Sequence, residues 1–417
     1  MRILLVSAYF PPDTGSASHL FYELGGELVR RGHRVYTITA MPSYFPTGQT
    51  GRYRGRFYMV EDFDGIRTLR VKVLSPARHI PVFRALWQFS LAFCFFFLGL
   101  FIRRPDIILV YSPPLTLGIT AWILSRLKGG AFILNVQDLF PQSVIDLGIL
   151  KNRILIRFFE AMERFVYRHA TTITVHSEGN RDHVVGKGAR PEKVRVIPNW
   201  IDTDFLKPGA KLNDFSRKFG LDNKFVVSFA GVLGYSQDVD VILEAAHRLR
   251  SHPDILFLIV GDGVEKARLV KKAQDLKLDN VRFLPMQPRS VYPQVIQASD
   301  VSLATLHDFV RTPVVPSKIL SIMAIGRPVV AGMDLSGDAP KLIARARCGI
   351  TLPPNDVEGL VDAIIKLYHN QELREEMGRN GRRYAEKYLS LSVAVRTYEE
   401  MFAELAPLHP RGDTSGV

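Results

Sequence analysis

The chain has 417 residues, enough for two domains, and 47% of them are hydrophobic, which allows large buried cores and excludes extensive disorder. Two cysteines are too few for a disulfide framework or a metal cluster. The net charge is +13, of which residues 1–208 carry +11, and such an excess favours a polyanionic partner, either nucleic acid or an anionic membrane surface.

The first half alternates apolar strand patterns with helical ones. A hairpin is indicated where residues 58–60 and 66–73 flank the turn at 62–65. The N-terminus, MRILLVSAYFPP, lacks the features of a signal peptide, so we expect a cytoplasmic chain. The alternation predicts an α/β fold with a doubly wound parallel sheet. The predicted strands are residues 2–7, 34–40, 107–111, 131–136 and 172–176, and a helix is predicted over 18–32.

Residues 85–102 form an almost wholly apolar segment in which only Gln88 and Ser90 are polar. Its 18 residues are at the short limit of a membrane span. The strand patterns before and after it belong to one predicted sheet, so a single crossing would separate them. We therefore expect an interfacial helix or a shallow hairpin at an anionic leaflet, with a core helix as the alternative. The predicted membrane contacts are Trp87, Phe89, Phe93, Phe96, Phe97 and Phe101.

The second half repeats the alternation after a loop at residues 198–208, and residues 371–405 are long enough to cross back to the first domain. In parallel sheets, ligands lie beyond the carboxyl ends of the strands, so two facing sheets predict a central cleft for two substrates. The predicted domains are 1–206 and 207–385, with a crossing helix at 386–408. The predicted strands of this half are residues 224–231, 255–260, 281–284, 301–304 and 328–331, with a helix over 239–251.

Four loops have the composition of binding sites. The loop at residues 11–16 contains Gly15 and precedes a helix, whose N-terminus favours anionic groups. Gly261-Asp262-Gly263 follows an apolar strand and permits close approach of a nucleotide. Ser317 can cap a helix that carries Lys318, and with Arg311 this predicts a diphosphate site. Asp138, after another strand, can orient an acceptor hydroxyl or take its proton, with a capping role as the alternative.

No metal or other cofactor is predicted. The pairs Asp62/Asp64 and Asp238/Asp240 are better explained by a hairpin turn and a helix start, and no two histidines have metal-ligand spacing on a helix. Nucleic acid is not an expected partner, since the basic residues are scattered and no recognition module is present.

Six segments, in this order, resemble the family-4 retaining glycosyltransferases of the colanic-acid and O-antigen branch: PPDTGS, VQDLFPQS, VIPNWIDTDFLKP, FAGVLGYSQDVDVILEAA, IVGDGVEKARL and VPSKILSIMAIGRPVV. The resemblance implies a GT-B fold of two Rossmann-like domains and metal-independent hexosyl or N-acetylhexosaminyl transfer with retention. It further implies a nucleotide-sugar donor, with a UDP-sugar favoured, in the C-terminal domain. The implied acceptor is a saccharide on undecaprenyl diphosphate, bound by the N-terminal domain at the cytoplasmic face of the inner membrane.

The resemblance also assigns residues to roles. It places Lys318 at the lysine of the PSK element and Asp138 near the family's catalytic-loop histidine. Pro313 and Ser321 occupy the positions of two family acids, which opens the alternative of a non-catalytic scaffold protein. A soluble transferase with a small acceptor is a third reading. The predicted catalytic residues are Asp138, Arg311 and Lys318, and the predicted donor-binding residues are Gly15, Gly231, Gln237, Gly261, Gly263, Leu284, Met286, Ser317, Lys318 and Ser321.

Overall fold

The computed structural model describes residues 1–13, 16–42, 52–74 and 81–406, with the backbone alone at Ser16 and residues 81–85. Gly15 therefore lies outside the described residues. The chain divides into two compact units, one formed by Met1–Asn199 with the chain from Leu391 on, the other by Trp200–Ser390.

The first unit is built on an eight-stranded sheet of order β3-β4-β2-β1-β5-β6-β7-β8, in which β3 and β4 are antiparallel and the other pairs are parallel. The central strand is buried on both faces, as an apolar parallel strand requires: Ile3 is completely buried and aligns with Val35 and Ile107. The strands are β1 (Arg2–Val6), β2 (Arg34–Ala40), β3 (Tyr58–Phe63), β4 (Ile66–Val71), β5 (Ile107–Ser112), β6 (Ala131–Val136), β7 (Thr172–Val175) and β8 (Val194–Val196).

Helices connect these strands and cover the sheet. The predicted helix over 18–32 is found two residues earlier. The helices are α1 (Ser16–Arg30), α2 (Pro81–Leu100), α3 (Leu115–Lys128), α4 (Gln142–Asp146), α5 (Arg153–His169) and α6 (Glu178–Gly186).

The apolar segment is one continuous helix, α2, and not a hairpin. The strands on either side of it, β4 and β5, belong to the same sheet, as predicted. One side of α2 is core, with Leu91 and Phe95 fully buried, whereas Phe93 is 66% exposed. The helix is therefore neither wholly buried nor wholly exposed. Among the described residues, no helix combines the length and hydropathy needed to cross a membrane.

The aromatic residues of this segment separate into two groups. Trp87 is buried beside Tyr9, with 5.9 Å between ring centroids, and Phe96 is partly buried against the core. This placement removes Trp87 from the predicted membrane contacts, because its ring fills the core. The outward group is Phe89, Phe93, Phe97 and Phe101.

The second unit has a parallel six-stranded sheet of order β11-β10-β9-β12-β13-β14. Its strands are β9 (Phe225–Ala230), β10 (Ile255–Val260), β11 (Val281–Leu284), β12 (Val301–Thr305), β13 (Val329–Gly332) and β14 (Gly349–Leu352). Its helices are α7 (Asp214–Lys218), α8 (Asp240–Arg248), α9 (Lys266–Asp275), α10 (Tyr292–Gln297), α11 (Ser317–Ile325), α12 (Asp338–Ala346), α13 (Val357–His369) and α14 (Gln371–Tyr384).

The chain then returns to the first unit. The predicted helical stretch 371–405 is interrupted at Ser390, after a π-helical turn, and a last helix, α15 (Leu391–Leu405), follows. Tyr398 of α15 is fully buried, and its hydroxyl accepts a 3.0 Å hydrogen bond from the Asn135 side chain at the end of β6. The C-terminal helix is thus bonded to the carboxyl end of β6, two residues before the loop position of Asp138.

Candidate active site

The second sheet changes direction at its centre. From β9 the chain goes to β10 on one side and later to β12 on the other, so the loops after β9 and β12 leave the same edge. This edge is where parallel sheets bind ligands. Gly231 follows β9 directly, and α11 begins after the loop that follows β12.

Lys318, in the first turn of α11, lies where these loops meet. Its Nζ donates a 2.6 Å hydrogen bond to the side-chain oxygen of Gln237 and lies 3.6 Å from the ring centroid of Phe229, a cation–π contact. The same ammonium stands 3.5 Å from the point where a Cβ on Gly231 would lie. The structure therefore brings together three residues that the sequence predicted separately.

Burial lowers the pKa of Lys318 from its usual 10.5 to about 7. An ammonium has three N–H donors, and Gln237 takes one of them. Among the described residues no other hydrogen-bond acceptor of this group is found, so the remaining donors suit an anionic ligand. An incoming diphosphate would stabilise the charged form and raise this pKa.

The two glycines after β10 allow the loops to pack backbone against backbone. A Cβ on Gly261 would lie 1.9 Å from the carbonyl oxygen of Gly231, and one on Gly263 would lie 2.2 Å from that of Leu233. No side chain fits at either position. The two glycines thus allow the loop after β10 to pack directly on the loop after β9.

We expect Gly261→Ala to destabilise the second unit by about 2 kcal/mol, because the carbonyl that the new methyl meets is backbone and moves only with its strand. Gly234→Ala is the matched control, since its Cβ would meet only Val232 Cγ1, at 3.8 Å. Urea denaturation of both variants measures the difference. Equal free energies of unfolding would show that the close approach of Gly261 to the Gly231 carbonyl does not contribute to stability.

Asp262, between those glycines, holds the next segment in place. Its carboxylate accepts a 2.7 Å hydrogen bond from Lys266 and a 3.0 Å bond from the backbone N–H of Met286. These two bonds, the Lys266 bond first, lower the pKa of Asp262. Leu284 is buried at the end of β11, whereas Met286 is 46% exposed. The sequence predicted a role for the two glycines of this turn but none for the carboxylate between them.

The start of α11 differs from the expectation. Ser317 is the first helical residue and Pro316 occupies the N-cap position, so the predicted serine cap is wrong. Ser321 is buried, and its hydroxyl donates a 3.3 Å hydrogen bond to the Ser317 carbonyl. Pro313 lies in the loop before the helix. Ser321 thus bonds to its own helix and also to the Tyr292 side chain.

Arg311 is exposed, and no described contact links it to Lys318. Its charge acts on Asp334, whose pKa is lowered first by hydrogen bonds from Ser336 and then by Arg311. The two cations of the predicted diphosphate site therefore differ. Lys318 is held by Gln237 and Phe229, whereas Arg311 is exposed to solvent.

The two Asp pairs form the hydrogen bonds expected of a hairpin turn and of a helix start. Asp62 accepts a 2.8 Å hydrogen bond from the Gly65 N–H in the hairpin turn, and Asp238 accepts a 3.2 Å hydrogen bond from the Val241 N–H at the start of α8. Asp238 is 2% exposed, and burial raises its pKa, an effect opposed by His307 nearby. The described residues contain no group of three or more metal-ligating side chains.

In the first unit, Asp138 follows β6. Its side chain reaches solvent, yet desolvation by the surrounding protein raises the pKa of its carboxyl. A raised pKa suits a group that takes a proton from an acceptor hydroxyl. The preceding Gln137 is buried and exchanges two hydrogen bonds, of 2.9 and 2.7 Å, with the Asn199 amide, which stabilises the loop.

The loop after β1 rests on a buried ion pair. Arg70 on β4 is completely buried, and its Nε donates a 2.5 Å bond to Glu61 of β3. Its guanidinium also donates to the carbonyl of Pro11, at the start of the loop predicted to approach phosphate. The sequence reading did not identify Arg70, because a charged residue on a strand is usually exposed.

Family models match both units. Residues 15–200 match the glycosyl transferase 4-like domain, and residues 213–384 match the glycosyl transferases group 1 model. The chain belongs to the glycosyltransferases. The predicted resemblance is confirmed, and the two parallel-sheet units are those of the GT-B fold.

Full-length relatives of this transferase exist among bacterial proteins. It is 27% identical to the putative colanic acid biosynthesis glycosyl transferase WcaI of Escherichia coli K12, over 95% of this chain and 98% of that protein. It is 26% identical to the probable glycosyltransferase WbjE of Pseudomonas aeruginosa, over 88% and 90%. Anabaena HepE, solved in complex with UDP, shares the fold with a TM-score of 0.70 and 17% identity, over 97% and 100%.

Proposed function

We propose that this transferase moves a hexosyl or N-acetylhexosaminyl group from a nucleotide sugar to a saccharide on undecaprenyl diphosphate, with retention and without a metal ion. The reaction belongs to cell-surface polysaccharide biosynthesis, as in the relative named for colanic acid, and takes place at the cytoplasmic face of the inner membrane. The second unit binds the donor, and the first unit binds the acceptor.

The observation that carries this proposal is the contact of Lys318 with Gln237 beside Gly231. When a sugar leaves a nucleoside diphosphate, negative charge grows on the diphosphate. A cation already oriented beside a glycine backbone stabilises that charge without reorganising. This arrangement supplies a cation for the leaving diphosphate, and the UDP in HepE supports a UDP-sugar donor.

The acceptor side is supported by α2 and by Asp138. Phe93 of α2 and Phe101, directly after this helix, are 66% and 84% exposed and form an outward apolar side that a lipid surface would cover. Peripheral attachment through this side would keep the first unit near a lipid-linked saccharide. Asp138, with its raised pKa, is the group proposed to orient the acceptor hydroxyl or take its proton.

The test is a thermal-shift screen of the full chain against UDP, GDP, dTDP and CDP sugars. We expect one nucleotide class, UDP first, to raise the melting temperature in proportion to the logarithm of its concentration. A positive class then enters an assay of nucleoside diphosphate release with membranes as the acceptor source. No shift with any class, or binding without release, would favour the non-catalytic scaffold.

We expect UDP affinity to fall roughly 30-fold between pH 7 and pH 9. The diphosphate prefers the protonated ammonium, and the free Lys318 loses its proton as the pH rises above about 7. The terminal phosphate of UDP gains charge as the pH rises from 7, which would strengthen binding to a cation, so its own titration does not explain a fall. Calorimetry should also detect proton uptake near pH 7. Lys318→Arg, which stays charged, should flatten the profile, and a flat wild-type profile would contradict the assignment.

A further inference from the structure

Helix α5 carries four arginines along one side. Arg153, Arg157, Arg164 and Arg168 are spaced by four, seven and four residues, which keeps them on one stripe of an α-helix. All four are exposed. Among the described residues none of them pairs with a carboxylate, and the ion pair of this helix joins Glu160 to Lys187 instead.

An exposed apolar strip lies beside this arginine stripe. Ile154 is 77% exposed, and Leu155 and Phe158 are 47% exposed each. Leu147 and Ile149, just before the helix, are also exposed. The opposite side of the helix is ordinary core, where Val166 and Tyr167 are buried. The exposed apolar strip is therefore separate from the side of α5 that packs on the sheet.

Neither feature stabilises the folded chain in water. Arginines four residues apart on a helix repel one another, and apolar side chains in solvent gain nothing from burial. A surface that is anionic outside and apolar beneath would stabilise both, because guanidinium groups bind lipid phosphates while aliphatic side chains enter the acyl boundary.

We propose that α5, with residues 147–152, is a second lipid-contact surface of the first unit and binds the anionic headgroups of a bilayer. Arg153, Arg157, Arg164 and Arg168 bind the headgroups, and Ile154 and Phe158 insert between them. A nucleic acid would match the arginines but offers no environment for the apolar strip. This surface is distinct from the outward side of α2.

The position of α5 relative to α2 supports the inference. Helix α3 packs against both: Thr120 donates a 3.1 Å hydrogen bond to the Ala92 carbonyl of α2, and Trp122 meets Phe165 of α5 with 5.0 Å between ring centroids. The three helices therefore form one layer on the first sheet. A bilayer that covers the exposed side of α2 is positioned to reach α5, so two contacts would define the orientation of the first unit.

The experiment is sedimentation of the full chain with sucrose-loaded vesicles of 70% phosphatidylcholine and 30% phosphatidylglycerol. Replacing the four arginines by glutamine should weaken binding about 1,000-fold. The matched control removes four exposed positive charges from the second unit, by the change to glutamine of Arg250, Lys341, Arg345 and Lys366, and should bind almost as the wild type does. A double variant, Ile154→Ser with Phe158→Ser, should lose the binding that persists in high salt.

Equal loss of binding in the arginine variant and its control would overturn the inference, since only net charge would then count. The inference would also be overturned if the wild-type chain did not bind vesicles but bound a short RNA or DNA duplex. The inference rests on the membrane placement in the proposed function but not on transfer activity. Vesicle binding without any nucleotide shift would refute the donor site and leave α5 intact. Loss of binding only in Phe93→Ser with Phe97→Ser would retain the α2 contact and refute α5.

Discussion

Replacing Lys318 by methionine is expected to slow sugar transfer about 150-fold, equivalent to roughly 3 kcal/mol of transition-state stabilisation, while making the free protein more stable. Methionine keeps the apolar stem over Phe229 and removes the ammonium that bonds Gln237. The rate falls because the leaving diphosphate loses its oriented cation. Release of nucleoside diphosphate under single-turnover conditions measures the effect.

The gain in stability follows from the pKa. A lysine whose pKa falls from 10.5 in the unfolded chain to about 7 in the folded one binds its proton more weakly when folded. Its cost is therefore fully present below pH 7 and is relieved as the pH rises towards 10.5. We expect Lys318→Met to raise the free energy of unfolding at pH 7 by about 2 kcal/mol, allowing for partial solvent access. A variant that turns over normally, or is inactive because it unfolds, would contradict this account.

Replacing Arg70 by methionine is expected to destabilise the first unit by about 4 kcal/mol. The side chain is fully buried, and its loss leaves Glu61 as a charge inside the protein, with the exposed Arg52 at 3.2 Å and the Tyr53 hydroxyl at 3.4 Å as its described partners. The Pro11 carbonyl loses a donor as well. Urea denaturation can follow the change by tryptophan fluorescence, to which Trp87 and Trp122 of this unit contribute.

A double variant separates the charge from the packing. Arg70→Met with Glu61→Leu removes both charges, so at least half of the lost stability should return. The Pro11 carbonyl stays without its donor, and full recovery is not expected. If the single variant is within about 1 kcal/mol of the wild type, or the double variant is no more stable than the single one, Arg70 does not support the loop through this ion pair.

The order of strands and helices was predictable because the apolar runs of a parallel sheet are long and uninterrupted. The strands at 34–40 and 131–136 were predicted at their observed bounds. The edge strands β8 and β14 were not predicted, because they have three and four residues and no strong apolar run. Hydropathy identified α2 but did not show that Trp87 fills the core, since its position depends on Tyr9 in another loop.

The site was predictable in its parts but not in its contacts. Lys318 and Gln237 are 81 residues apart, and no spacing rule connects them. The bond from the Met286 N–H to Asp262 likewise depends on the pairing of β10 with β11. Ser317 failed as a cap because Pro316 already has the extended backbone of an N-cap residue. Local patterns identify residue types, and only the sheet determines which of them meet.

Hydrogen–deuterium exchange of the full chain with and without saturating UDP tests the donor site most directly. The account predicts slower exchange of backbone amides at residues 231–237, 261–263 and 317–318, with little change when Lys318→Met is mixed with the same UDP. Protection confined to the first unit, or UDP binding that leaves these three segments unchanged, would contradict it.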